Sequence, residues 1–203
     1  MSNQEGISLV KGEKINLAKQ AGKPLKKIRA LIGWQANSTD TGADFDVDVS
    51  AFVCGYNAQE KPMLLGDRWF IFYNNLVSPD KSIVHHGDNT VGGDGDGDCE
   101  AISVDLETIS DAVDEISFVV TIYDAVTRKQ NFGQIRKAYI RIVDDENDKV
   151  IATFPLSDDF SVETAVQVGS VYRKNGVWSF QAVGSGYKIG LDSFVKEYGG
   201  NLQ

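Results

Sequence analysis

The chain of 203 residues is 42% hydrophobic and 24% charged, enough to bury the core of one large domain or two small ones. Its formal net charge of −9 argues against nucleic acid as the main partner, because phosphate binding rests on clustered Lys and Arg. Met1 to Gly12 has no apolar run of a signal peptide, and no later run approaches the length of a membrane span. A cytoplasmic protein is therefore expected. Cys54 and Cys99, the only cysteines, lack the spacing of a zinc site or a disulfide framework.

In chain order the sequence reads as short strands separated by turn chemistry. Ile7-Ser8-Leu9-Val10, the turn Lys11-Gly12 and Ile15-Asn16-Leu17 predict two strands. The basic residues Lys11, Lys14, Lys19, Lys23, Lys26, Lys27 and Arg29 are read as solvating these strands and turns rather than as a patch for anionic lipid. After Pro24, the residues Ile28, Ala30, Ile32 and Trp34 alternate along a core strand. Phe45, Val47, Val49, Ala51 and Val53 then fall on one face while Asp46, Asp48 and Ser50 fall on the other, the period of a half-buried strand. Taken alone, that acidic face is a solvent-facing edge. Trp69-Phe70-Ile71-Phe72-Tyr73 is apolar on both faces and predicts a central strand ending in the Asn74-Asn75 turn.

Further strands are expected over 101–106, 116–123, 138–143 and 150–154. Asn175-Gly176 between Tyr172 and Trp178 marks a type I′ hairpin, which needs positive φ at both turn positions. Leu191, Phe194, Val195 and Tyr198 have helical spacing, and Gly199-Gly200 stops the helix. Many short strands and little helix predict an all-β, two-sheet β-sandwich with a few short peripheral helices.

The most informative stretch runs from Gly87 to Glu100. It packs Asp88, Asp94, Asp96, Asp98 and Glu100 among the glycines 92, 93, 95 and 97. Two carboxylates about 5 Å apart at an effective dielectric near 20 repel by roughly 3 kcal/mol, so such a loop needs open water or a cation. Oxygen donors on a flexible backbone suit calcium, which takes six to eight such ligands in irregular geometry; magnesium prefers a rigid octahedron. The EF-hand pattern fails at its sixth position, where Cys99 replaces the turn glycine, and the nonapeptide calcium repeat would need tandem copies. A calcium loop of another design is expected.

Several stretches together carry a resemblance. These are Gly33-Trp34, Ser38-Thr39-Asp40, Asp44-Phe45-Asp46-Val47-Asp48, Phe70 to Leu76, Gly87-Asp88-Asn89, Gly95-Asp96-Gly97-Asp98 with Glu100, and Phe132-Gly133-Gln134. With the string from Tyr172 through Asn175-Gly176 and Trp178 to Gly186-Tyr187, they resemble the TerD family of tellurite-resistance and general stress proteins over almost the whole chain. The resemblance implies a single domain over residues 1–203, a β-sandwich with two calcium ions at one end. It implies candidate ligands Asp46, Asp48, Asn74, Asn75, Asp88, Asn89, Asp96, Asp98 and Glu100. Gln35 and Cys99 stand where the family usually has Asp, so weaker affinity or a single ion is expected if those positions coordinate.

The expected partners are calcium and the proteins of a stress-response complex, membrane-associated or not. Enzyme chemistry finds little support. His85 and His86 are neighbours, and neighbours in a strand point to opposite faces. There is no Gly-x-Ser-x-Gly elbow or phosphate loop, and Gly184-Ser185-Gly186 with Gly190 misses the dinucleotide fingerprint. The alternatives kept are a calcium-dependent membrane-docking module and, below it, a metal-dependent phosphoesterase. Asp124, Arg128 and Gln130 are read either as a recognition surface or as loop charges facing water.

Overall fold

The computed structural model describes residues 6–36, 45–87, 98–156, 160, 162–188 and 190–201. Along the chain run β1 (Ile7–Ser8), β2 (Lys14–Asn16), α1 (Leu17–Ala21), β3 (Lys27–Ala36), β4 (Val47–Tyr56) and β5 (Pro62–Leu64). They are followed by β6 (Phe70–Ile71), β7 (Ile83–His85), β8 (Glu100–Asp105), β9 (Glu115–Ile122), α2 (Ala125–Arg128) and β10 (Ile135–Asp144). Last come β11 (Lys149–Pro155), β12 (Ala165–Lys174), β13 (Val177–Tyr187) and α3 (Leu191–Glu197).

The strands form a β-sandwich. One sheet has the order β1-β11-β10-β3-β8-β7 and the other β2-β13-β12-β9-β4-β5, with β6 pairing β4 outside this path. Alternation builds the core between them. Val47, Val49, Ala51 and Val53 of β4 face Ile28, Ala30, Ile32 and Trp34 of β3, Ile102 and Val104 of β8, and Ile140 and Ile142 of β10 in one buried cluster. At about 1.5–3 kcal/mol for each fully buried large aliphatic or aromatic side chain, this layer is the main driving force for the fold.

The second sheet is also covered on its outer face. Phe52, Cys54 and Val119 pack there against Phe70 and against Phe194, Val195 and Tyr198 from α3 and its end. The Phe52 ring centroid lies 4.7 Å from that of Phe70 and 4.6 Å from that of Tyr198. This cover corrects the expectation of a solvent-facing acidic edge: Asp48, which shares its face with Ser50 and Phe52, is only 5% exposed.

Two further expectations are corrected. The apolar run at Trp69–Tyr73 is not a central strand, because Asp67–Trp69 forms a 3-10 turn and only Phe70–Ile71 pairs with β4. The Asn75 side-chain amide ends the strand early by donating to Phe70 O at 2.6 Å and Arg68 O at 3.1 Å. Leu17 opens a helix rather than extending a strand, because the Asn16 side chain accepts the Lys19 amide at 2.8 Å as an N-cap. The Asn175-Gly176 hairpin is as expected, with φ of 51° and 75°. Gly199 ends α3 with φ of 78°.

Candidate metal centre

The registers bring both acidic segments to one end of the sandwich. Ile32 of β3 pairs with Glu100 of β8, and Val47 of β4 pairs with Ile122 of β9. Residues 37–44 join Ala36 to Phe45 and residues 88–97 join Gly87 to Asp98, so both leave and re-enter at this end. The candidates Asp88, Asn89 and Asp96 lie outside the described residues.

Of the described candidates, Glu100 reaches the free edge of β4. In an antiparallel strand the N–H and C=O of one residue point to the same side. Those of Val49 point away from β9, and among the described residues no strand receives them; two side chains from the opposite sheet do so instead. Glu100 of β8 accepts the Val49 amide on Oε2 at 2.7 Å. His85 of β7 lies with Nε2 3.2 Å from Val49 O. The Gly87 amide donates to His85 Nδ1 at 3.1 Å, which leaves Nε2 as the protonated nitrogen and donor to Val49 O. His85 and Glu100 are both 3% exposed, with Nε2 3.8 Å from the nearer carboxylate oxygen. His86, on the opposite face, is paired with Ser103 Oγ at 2.6 Å.

The Asn74-Asn75 turn belongs to the same corner. β6 runs antiparallel to β4 with Ile71 opposite Ala51, so the chain beyond it heads toward Asp48. The His85 amide donates to Leu76 O at 2.8 Å, which fixes the turn beside His85. Asn74 is exposed and Asn75 half-buried. Because the Asn75 amide nitrogen is used on Phe70 and Arg68, Asn75 has only Oδ1 left to offer an ion.

Two candidates are turned elsewhere. Asp98 is exposed and accepts from Tyr139 Oη at 2.8 Å and from Arg141 at 3.2 Å on the outer face of the first sheet. Arg141 also stacks on the Tyr139 ring, 4.6 Å from its centroid. Burial first, and the Asp98 carboxylate second, push the Tyr139 hydroxyl well above its ordinary value and keep it a donor. Asp46 faces α2, with an oxygen 3.9 Å from Arg128, and its carbonyl accepts the Tyr123 amide at 2.8 Å. The sequence missed Tyr139 and Arg141. Their signal was the alternation with inward Ile140 and Ile142, opposite Gly33, whose missing side chain leaves room for the Tyr139 ring.

The chemistry of this corner fits a hard cation. Both His85 nitrogens are committed to backbone groups, and the Cys99 thiol is directed to Trp34 O at 3.7 Å. The described oxygen donors on this side of β4 are Glu100 and the Asn74-Asn75 turn, while Asp48 lies on the other face of β4 with Ser50 and Phe52. Among the described residues, no three His, Cys, Asp or Glu side chains form an ion-holding group by themselves.

The TerD domain model matches residues 6–198. The chain belongs to the TerD family. It is 47% identical over 195 residues to a tellurium resistance protein TerD of Serratia marcescens, covering 96% of this chain and 98% of that protein. It is 45% identical over 193 residues to general stress protein 16U of Bacillus subtilis, covering 95% and 97% of the two chains. Among solved structures it resembles a homologue of telluride resistance protein (TerD) from Streptomyces coelicolor, with a TM-score of 0.65 and 19% identity over 88% of this chain and 100% of that one. At that identity the likeness speaks for the β-sandwich fold of the TerD chain alone.

Proposed function

We propose that this TerD-family protein is a non-enzymatic, cytoplasmic calcium-binding protein of the tellurium-resistance and stress response. Calcium at the β4 corner offsets the repulsion among the clustered carboxylates, fixes the loops they stand on, and so presents a surface to a partner. Asp48 and Glu100, Asn75 Oδ1, and Asp88, Asn89 and Asp96 from the acidic segment are the residues assigned to hold the ions. What supports this reading is the buried Glu100 carboxylate on the free edge of β4, where the neighbouring nitrogen and sulfur donors of His85 and Cys99 are already committed to backbone groups.

The same commitments speak against hydrolysis and redox chemistry. A general base must be within reach of the proton that it abstracts, yet the His85 lone pair accepts from the Gly87 backbone. Cys54 is buried, and burial first and Glu115 second raise its thiol far above the ordinary value, which makes it a poor nucleophile or reductant for an oxyanion.

Calorimetric titration of the chelator-stripped protein with calcium, repeated in millimolar magnesium, tests the proposal. Ligand at a hundred times Kd adds about 2.7 kcal/mol to stability. For a domain of this size that raises Tm by roughly 5–10 °C. Absence of both heat and shift would overturn the reading, and a stoichiometry of one would assign the loss of an ion to Gln35 and Cys99.

A further inference from the structure

The acidic end carries an exposed apolar tip that neither the core nor the proposed ion site uses. Val126 is 88% exposed and Tyr123 50% exposed, on and beside α2. The turn that holds them is well defined. Ala125 is buried, Gln130 N donates back to Ala125 O at 2.8 Å, and Asp124 and Lys129 bracket the turn with φ of 49° and 54°. Positive φ is unfavourable for a lysine, so this turn is imposed by its surroundings. The tip is also joined to the start of β4 at the same end, because the Tyr123 amide donates to Asp46 O at 2.8 Å and Arg128 lies 3.9 Å from the Asp46 carboxylate. Leu76 and Val162 add exposed apolar surface at the same end.

Basic groups flank the tip. The Arg128 guanidinium lies 5.1 Å from the Tyr123 ring centroid, Lys129 follows it, and Lys188 lines a cleft of about 300 Å³ behind the tip with Tyr73, Tyr123 and Leu191. The acids of the described surface include Asp46, Asp124, Asp192 and, beside Val162, Glu163, on a chain of net charge −9. A protruding aliphatic tip flanked by lysines fits an anionic lipid surface better than a protein, because a stable protein interface needs a broad packed patch. Against an anionic bilayer the nearby carboxylates repel, so docking requires a cation to neutralise them.

We propose that the α2 tip, with Tyr123 and Val126 inserted and Lys129 and Lys188 at the headgroups, docks the protein on anionic phospholipid when calcium occupies the neighbouring acidic end. This rests on the calcium reading above. The test is co-sedimentation of the full chain with phosphatidylserine–phosphatidylcholine vesicles in calcium and in chelator, alongside calcium titrations of wild type and Val126→Asp. Because Val126 is exposed, the variant should fold and titrate calcium like wild type. Wild type should sediment only with calcium and anionic lipid, and Val126→Asp should lose about tenfold or more in vesicle affinity.

Calcium heat without sedimentation would overturn the docking proposal and leave calcium binding standing. So would equal binding of Val126→Asp, equal binding to pure phosphatidylcholine, or binding unchanged in chelator. Absence of calcium heat would overturn the underlying calcium reading whatever the vesicles show.

Discussion

Glu100 and Val49 belong to different sheets, yet the carboxylate of one accepts the amide of the other at 2.7 Å in the buried interior. With His85 on the Val49 carbonyl, this contact completes a strand edge that no neighbouring strand covers among the described residues. Glu100→Ala should leave the Val49 amide buried and without its acceptor, a loss of about 1–3 kcal/mol. In chelator, where ion binding does not contribute, that lowers Tm by roughly 2–12 °C. Glu100→Gln keeps a carbonyl acceptor and should lower Tm less while still weakening calcium binding. Equal melting of wild type and Glu100→Ala in chelator would show that the contact carries no stability.

The Tyr139–Arg141 pair holds Asp98 on the outer face of the first sheet, away from Glu100. If Asp98 contributes to ion binding, it must leave this pair. Arg141→Met, which keeps the aliphatic stem over the Tyr139 ring, should then tighten calcium binding. An exposed ion pair is worth about 0.2–1 kcal/mol, so the expected gain is roughly 1.5- to 5-fold. Unchanged or weaker calcium affinity in the titration would mean that Asp98 stays with Arg141 when calcium binds.

Gly33 is tied to the same arrangement. A Cβ there would stand 2.3 Å from the Tyr139 ring. Gly33→Ala should displace that ring, disturb the Asp98 contact and lower Tm. Tyr139→Phe should remove only the hydroxyl contact to Asp98, and a neutral effect of Gly33→Ala in thermal melts would show that the ring moves at no cost.

What could be read from the chain follows from how local each signal is. The two sheets were legible because alternation at Phe45–Val53 and Ile28–Trp34 is a property of neighbouring residues. So were the Asn175-Gly176 hairpin and α3. The cover over the outer face of the second sheet was not, because Phe52 and Cys54 are buried by α3, far along the chain. Trp69–Tyr73 misled because its apolar residues serve two different clusters around a turn: Ile71 faces the inter-sheet core, and Phe70 and Phe72 join the outer one. The candidate ligands were identified by type and family pattern, but the sequence could not show that Asp98 and Glu100, two positions apart, face different surroundings.

The acid limb of stability should depend on a set of structural carboxylates distinct from the ion corner. Asp80 is the clearest. Burial alone would raise its carboxyl, but hydrogen bonds from Ser78, Ser82 and Ser110 outweigh that and hold it below the ordinary 3.8. Its Oδ1 accepts from Ser78 Oγ at 2.6 Å, Ser82 Oγ at 2.7 Å and Ser82 N at 3.0 Å, and its Oδ2 accepts from Ser110 N at 2.9 Å. Asp105 and Asp144 follow the same logic: burial is the largest influence and raises them, but Lys27 and backbone amides at Asp105, and Lys23 with the Glu146 amide at Asp144, lower them overall.

A carboxyl whose folded value lies below its unfolded value stabilises fully above the unfolded value and loses that contribution as pH falls through the folded one. In chelator, Tm should therefore hold from neutrality down to about pH 4 as far as these groups are concerned, and then fall steeply. Asp80→Asn cannot accept from both sides, since one of its oxygens becomes an NH₂ donor. It should melt lower than wild type at pH 7, with a shallower loss between pH 4 and pH 3. Parallel acid limbs for the two proteins would show that Asp80 is not among the groups whose protonation unfolds the sandwich.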